Sequence, residues 1–204
     1  LQGHLALRGN AYNQIITNPR GEIIELMPIH PDRVKIEFQG GEPLLRLDLL
    51  ERVRSFCRER FAMSQFVVCT NLQDVSGAAW AFLSDPDTFI STSFDGTAAT
   101  HTRQRTKAPE LTEKLLANIR FAMETFGSDK ISALPTIDVE DPPEPAEVVA
   151  DFAALGFKSV FLRRVNYQGF ARKRHAARDS TRAWLTYHRQ FIDAVIQHNS
   201  SHEH

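Results

Sequence analysis

The sequence predicts an α/β fold of parallel strands with helices packed outside them, and three observations carry the prediction. From about residue 31 onward, extended apolar runs alternate with amphipathic helical patterns. Strands joined by single crossover helices must run parallel, because each helix returns the chain to the same end of the sheet. The residues that follow the strands are small, polar or glycine: Gly40, Gly41 and Glu42, then Thr70 and Asn71, then Ser93, Asp95 and Gly96, then Pro135, and last Arg163 and Arg164. Such residues gather on one edge of a parallel sheet, where the functional residues of βα folds collect.

Residues 1–30 are weakly patterned. Ile15-Ile16 and Ile23-Ile24-Glu25-Leu26-Met27 are apolar runs separated by Asn18-Pro19-Arg20-Gly21, and they are expected to form short extended or helical pieces. Val34–Phe38 is the first clear strand. Leu45, Leu49, Leu50, Val53, Phe56 and Cys57 then recur at spacings of three and four, which puts them on one helix face. Gln65–Thr70 reads as a second strand, residues 76–84 as a short helix, and Thr88–Phe94 as a third strand ending in Asp95-Gly96. A polar segment with His101, Arg103, Arg105 and Lys107 leads into a long helix striped by Leu111, Leu115, Ile119, Met123 and Phe126, which Gly127 stops. Lys130–Leu134 is the fourth strand, and an acidic, proline-rich linker over 139–145 precedes a helix with Val148, Val149, Phe152 and Leu155. Lys158–Leu162 is the fifth strand, and a final helix runs from about Ser180 to His198. The chain therefore divides into a poorly patterned segment at 1–30, a βα core at 31–170, and a basic loop, helix and tail at 171–204.

The bulk numbers narrow the function. A chain of 204 residues that is 42% hydrophobic can bury a full core, and a net charge of -1 argues against a general nucleic-acid or membrane surface. No apolar run approaches the length of a membrane span and no leader pattern precedes the fold, so a soluble, cytoplasmic protein is expected. Its two cysteines, Cys57 and Cys69, form neither a disulfide framework nor a local metal motif and read as core thiols. The opening Leu1 suggests a portion of something longer.

Chemistry concentrates at Phe38-Gln39-Gly40-Gly41-Glu42-Pro43. Two glycines let the backbone bend and approach a ligand, Pro43 stiffens the exit, and Glu42 at the strand tip is suited to an ammonium group. An ordinary tight turn with a solvated glutamate carries the same residues. Asp95 is a candidate general base, although a carboxylate followed by glycine at a strand end is also a common turn former. The basic stretch Arg163, Arg164, Arg172, Lys173, Arg174, His175 and Arg178 reads as a solvated loop, and His198, His202 and His204 as a terminal tail.

With the tips assembled, the chain resembles the radical S-adenosylmethionine (radical SAM) superfamily. The resemblance rests on Phe38–Leu45, on Cys69-Thr70-Asn71, and on Ser91-Thr92-Ser93-Phe94-Asp95-Gly96 followed by His101 and Arg105, and it covers about residues 31–170. Lys35–Pro43, Val160–Arg163 and Tyr167-Gln168-Gly169-Phe170 look most like peptide-modifying maturases of His-Xaa-Ser repeat systems. The resemblance implies a partial (β/α)6 barrel that cleaves S-adenosylmethionine to a 5′-deoxyadenosyl radical and modifies a precursor peptide. It implies that Gly40, Gly41, Glu42 and Pro43 hold the methionyl amino end, that Ser93 and Asn71 contact the ribose, that Arg103 or Arg105 meets the methionyl carboxylate, and that Leu162 and Arg163 lie beside the adenine. A precursor peptide and a partner maturase are the implied partners.

The sequence departs from this family in one large respect. The family's four-iron (4Fe-4S) cluster needs three closely spaced cysteines, and no CxxxCxxC occurs in the chain. The cluster ligands are expected in a full-length protein, outside the residues of this chain, with Gly3-His4-Leu5 through Tyr12-Asn13 standing where a cluster loop belongs. The alternative is a cluster-free barrel that binds a peptide or partner.

Overall fold

The computed structural model describes residues 12–17, 23–29, 33–165 and 180–202. Strands β1 (Tyr12–Thr17) and β2 (Ile23–Ile29) pair antiparallel as a separate two-stranded sheet. The weak pattern at 1–30 thus resolves into extended chain, with no helix among its described residues. β3 (Arg33–Phe38), β4 (Met63–Thr70), β5 (Thr88–Thr92) and β6 (Ile131–Ala133) form a four-stranded parallel sheet in that order. Helix α1 (Leu47–Arg60) joins β3 to β4, and α2 (Gly77–Leu83) joins β4 to β5. Beyond β5 come the single turn α3 (Ala98–His101) and the long helix α4 (Pro109–Phe126). The expected parallel α/β architecture is present.

Of the apolar stripe expected over Leu45–Cys57 only Leu50 and Cys57 are buried, while Leu45, Leu49 and Phe56 are exposed; α4 buries Leu115, Ile119 and Ala122. From the strands, Val68, Ile90, Ile131 and Ala133 point to the helix side, where they meet Leu50, Phe82, Leu83, Leu115 and Ile119 in one core, and buried Phe66 stacks on Phe38 beside it. Alternation sends Lys35, Glu37, Cys69 and Ser132 to the opposite face. The same alternation puts Val67, Phe89 and Ser91 on that face, so it mixes polar and apolar groups where a parallel sheet covered by helices on both sides is nearly continuously apolar. α2 starts where the Ser76 side chain accepts from the Ala79 amide, and Trp80 packs edge-on against Phe121 of α4.

The fifth strand differs from expectation. The chain at Lys158–Leu162 makes only a bridge, Val160 opposite Ala133, before β7 (Thr136–Ile137) and β8 (Arg163–Arg164) pair in parallel. Phe161 N donates to Ala133 O at 2.9 Å and Arg163 N to Pro135 O at 2.9 Å, so the two segments stay adjacent throughout. Pro135 has no N–H to donate, and the ladder breaks there. The third strand is likewise shorter than expected and ends at Thr92, and the fourth spans Ile131–Ala133. Helix α5 (Pro145–Ala154) and helix α6 (Thr181–His202) close the fold, with Phe191 and Ala194 of α6 in the common core.

The Arg172–Arg178 basic stretch, Tyr167–Phe170, Gly3-His4-Leu5, the side chain of His202 and all of His204 lie outside the described residues. Among the described residues no helix is long and apolar enough to cross a membrane.

Candidate functional site

The turn after β3 is built to leave backbone exposed. Gly40 and Gly41 have φ of 95° and 53°, a region in which side chains are strained, and a Cβ at either would meet nothing within 4 Å. Pro43 opens a 3-10 turn over Pro43–Arg46 and is buried. Glu42 caps that turn: Leu44 N donates to its Oε1 at 3.2 Å, while Asn71 N from the tip of β4 donates to its Oε2 at 2.8 Å. One carboxylate therefore ties two neighbouring strand tips together. Each oxygen accepts a single amide and keeps a lone pair for a further donor.

At the second tip the Asn71 side-chain oxygen accepts from Gln73 N at 2.9 Å, and Thr70 Oγ1 accepts from Leu72 N at 3.1 Å. Leu72, held at φ 50°, is buried beneath. The third tip begins where Ser93 N donates to Thr70 O at 3.2 Å, which places Ser93 beside Asn71. Gly40, Gly41, Glu42, Asn71 and Ser93 thus stand along one edge.

Asp95 is placed differently. It is 4% exposed, and Arg105 donates to it twice, Nε to Oδ2 at 2.5 Å and Nη2 to Oδ1 at 3.1 Å. Thr136 N adds a third bond to Oδ1 at 2.8 Å. Arg105 reaches Asp95 because α3 widens into a π turn over Thr102–Thr106, which swings the side chain back under the tip. Arg103 Nε is paired with Asp141 Oδ2 at 2.7 Å. Both arginines expected near a methionyl carboxylate are therefore engaged by carboxylates of the chain.

His101 completes this knot. The Asp95 amide donates to its Nδ1 at 3.1 Å, so Nε2 carries the proton in the neutral ring, and no described residue accepts it. Burial pushes the imidazole down to about 4, with Arg105 acting in the same direction and Asp95 opposing it. Gly96, at φ 81°, lies so close to Pro143 that a Cβ would come within 2.8 Å of its Cγ.

Leu162 is partly buried against the core, and Arg163 is exposed, its guanidinium 5.6 Å from the Phe161 ring centre. On the polar face of the sheet the Cys69 thiol donates to Glu37 Oε1 at 3.2 Å. Burial pushes that thiol up to about 11, the adjacent Glu37 adds to the rise, and the same hydrogen bond holds the Glu37 carboxyl below its usual range. Cys57 is buried as expected, whereas Cys69 is half-buried on the polar face. Sequence reasoning missed this pair, although the alternation Lys35, Glu37 in β3 and Cys69 in β4 carries the signal.

Two cysteines cannot supply three cluster thiolates, and among the described residues no group of three His, Cys, Asp or Glu is placed to hold a metal ion. The donor set therefore does not fit an iron–sulfur cluster. It does fit an amino acid ammonium at Glu42 beside bare glycine backbone.

No family model matches the sequence, and no curated protein sequence matches it significantly. Among solved structures, the chain superposes on native anSMEcpe with bound AdoMet and a Kp18Cys peptide, with a TM-score of 0.60 and 16% identity over 80% of this chain and 45% of that one. Histidine-tagged anSMEcpe with bound AdoMet gives a TM-score of 0.59 and 16% identity over 80% and 43%. The chain spans less than half the length of these proteins. At this identity the likeness is one of fold: the chain carries the partial parallel barrel of the AdoMet-bound anSMEcpe structures.

Proposed function

We propose that the chain is the S-adenosylmethionine-binding core of a radical SAM enzyme that modifies a peptide. The observation that carries the proposal is Glu42, whose carboxylate is fixed by amides from two strand tips yet retains acceptor capacity beside two open glycines. In this reading Glu42 and the Gly40-Gly41 backbone receive the methionyl ammonium, Pro43 holds the turn, and Asn71 and Ser93 offer amide and hydroxyl groups to the ribose. Leu162 and Arg163 border the adenine. Arg103 and Arg105 would have to leave Asp141 and Asp95 to meet the methionyl carboxylate, and the exposed Arg103 pair breaks more easily than the buried Arg105 pair. A fold shared with structures that hold AdoMet and a peptide supports both ligands.

S-adenosylmethionine would be the source of the 5′-deoxyadenosyl group, whose release as a radical takes one electron from an iron–sulfur cluster held outside this chain's own donors, and the chain's residues bind and orient it. The reading of a peptide maturase of the His-Xaa-Ser type belongs to this proposal, as does a partner maturase. The presence of only two cysteines favours a second reading, a cluster-free barrel that binds a peptide or partner.

Calorimetric titration of S-adenosylmethionine into the parent chain and into Glu42→Ala tests the proposal. Loss of one charge-assisted contact should weaken binding by about tenfold or more. Equal affinity would remove Glu42 from the site, and no binding by the parent would leave the cluster-free reading.

A further inference from the structure

β3 stands at an edge of the four-stranded sheet, and among the described residues it pairs with β4 alone. From Lys35 to Phe38 no residue of it is fully buried, whereas Phe66 and Val68 in β4 are. Helix α1 leaves apolar side chains uncovered beside that edge. Its Arg54 and Arg58 reach Asp85, just beyond α2, which turns one flank of the helix toward the middle of the sheet. At 3.6 residues per turn Leu49 and Phe56 fall on the opposite flank, toward the β3 edge, and both are exposed. Glu51, Arg52 and Glu59 fall between the flanks, away from Leu50 and Cys57 beneath. An open strand edge and an open helix flank thus border one another, a combination that folded proteins cover.

The charges on the strand name the occupant. Lys35 and Glu37 lie on either side of Ile36 and share the face away from the helices, about 6.6 Å apart along the strand. When two copies of β3 run antiparallel about a twofold axis at Ile36, each Lys35 stands opposite the Glu37 of the second copy, and Ile36 meets Ile36. A register shifted by two residues instead sets Glu37 on Glu37 or Lys35 on Lys35, and a shift of one sends the side chains to the wrong face. Glu37 also accepts the Cys69 thiol at 3.2 Å and the Gln39 side chain, and the acceptor positions of a carboxylate leave room for an ammonium. The same axis brings α1 beside α1. Strands are spaced about 4.8 Å, so two helices that each cover a β3–β4 pair lie about 9.6 Å apart, a distance at which helices pack. We propose that this flank is a self-complementary interface between two copies of the chain, with β3 paired antiparallel on β3 and the exposed flanks of α1 packed together. The inference does not depend on the ligand read above.

Sedimentation equilibrium of the full chain tests it, and the parent should dimerise as its concentration rises. Lys35→Glu should weaken the dimer about tenfold at low salt, because symmetry turns two attractive pairs into two repulsive ones, and Glu37→Lys should do the same. Mixed in equal amounts, the two variants should recover the parent's affinity, since every pair across the axis is again a lysine opposite a glutamate. That recovery also shows that both variants fold. Phe56→Asp, on the exposed flank of α1, should weaken the parent dimer by a comparable factor. A parent that stays monomeric, a dimer that the charge reversals or Phe56→Asp leave unchanged, or variants that fail to pair on mixing overturns the interface. Hydrogen exchange separates a second copy from cover supplied by the same chain, because the β3 amides should gain protection only as the protein is concentrated. Full protection of β3 at concentrations where the chain is monomeric overturns the second copy as the occupant.

Discussion

Two strand tips of this protein carry a carboxylate beside glycine, and the structure uses them in opposite ways. At Gly40-Gly41-Glu42 the glycines face open space and the carboxylate accepts one amide per oxygen. At Asp95-Gly96 the glycine is packed against Pro143, and the carboxylate is closed over by Arg105 and the Thr136 amide. Residue type alone does not separate a ligand site from a fastening. What separates them is the acceptor capacity left after the fold has taken its share.

If Asp95 fastens the fold, Asp95→Ala should be the most damaging change at either tip. It strands a half-buried guanidinium and the Thr136 amide, a loss of about 4 kcal/mol in urea unfolding. An unchanged midpoint would make Asp95 a candidate base again. His101 comes next. Its ring titrates near 4 when folded, against 6.5 when exposed, so the unfolded chain takes up the proton first as pH falls. Stability is therefore full above pH 6.5 and declines toward pH 4 by about 3 kcal/mol, and His101→Gln should flatten that window. A parallel decline in the variant would assign the acid sensitivity to other groups.

The glycines sharpen the contrast. Gly96→Ala combines backbone strain with a clash at Pro143 and should cost about 2–3 kcal/mol, whereas Gly40→Ala meets only the strain and should cost about 1 kcal/mol. Thermal melts that rank them the other way would reverse the assignment of the open and closed tips. The smallest effect is expected for Glu42→Gln, under about 1 kcal/mol, because one amide acceptor survives. A larger loss in the same melts would make Glu42 a fastening as well.

Much of this was legible in the sequence because it depends on local pattern. The apolar runs at Val34–Phe38 and Gln65–Thr70 appear as strands and the helix over Leu111–Phe126 as expected, with Leu115 and Ile119 of its stripe buried and Leu111 exposed. Strand ends were harder to read. The run Lys158–Leu162 has strand composition, but the missing N–H of Pro135, more than twenty residues earlier, decides where the ladder can continue. The glycine tip was legible because its φ values follow from residue type. The Asp95–Arg105 pair was not, because ten residues of ordinary helix would not bring those side chains together, and the π turn has no simple sequence mark.

The hydrogen bond between Cys69 and Glu37 has a practical consequence. The thiolate is the form that reacts with alkylating reagents, and Cys69 stays a thiol until about pH 11, while burial also raises Cys57 above its ordinary value. Both native sulfurs are thus slow toward maleimides at neutral pH. A cysteine introduced at exposed Glu124 on α4 takes a spectroscopic label ahead of them, and the protein can be tagged without removing either.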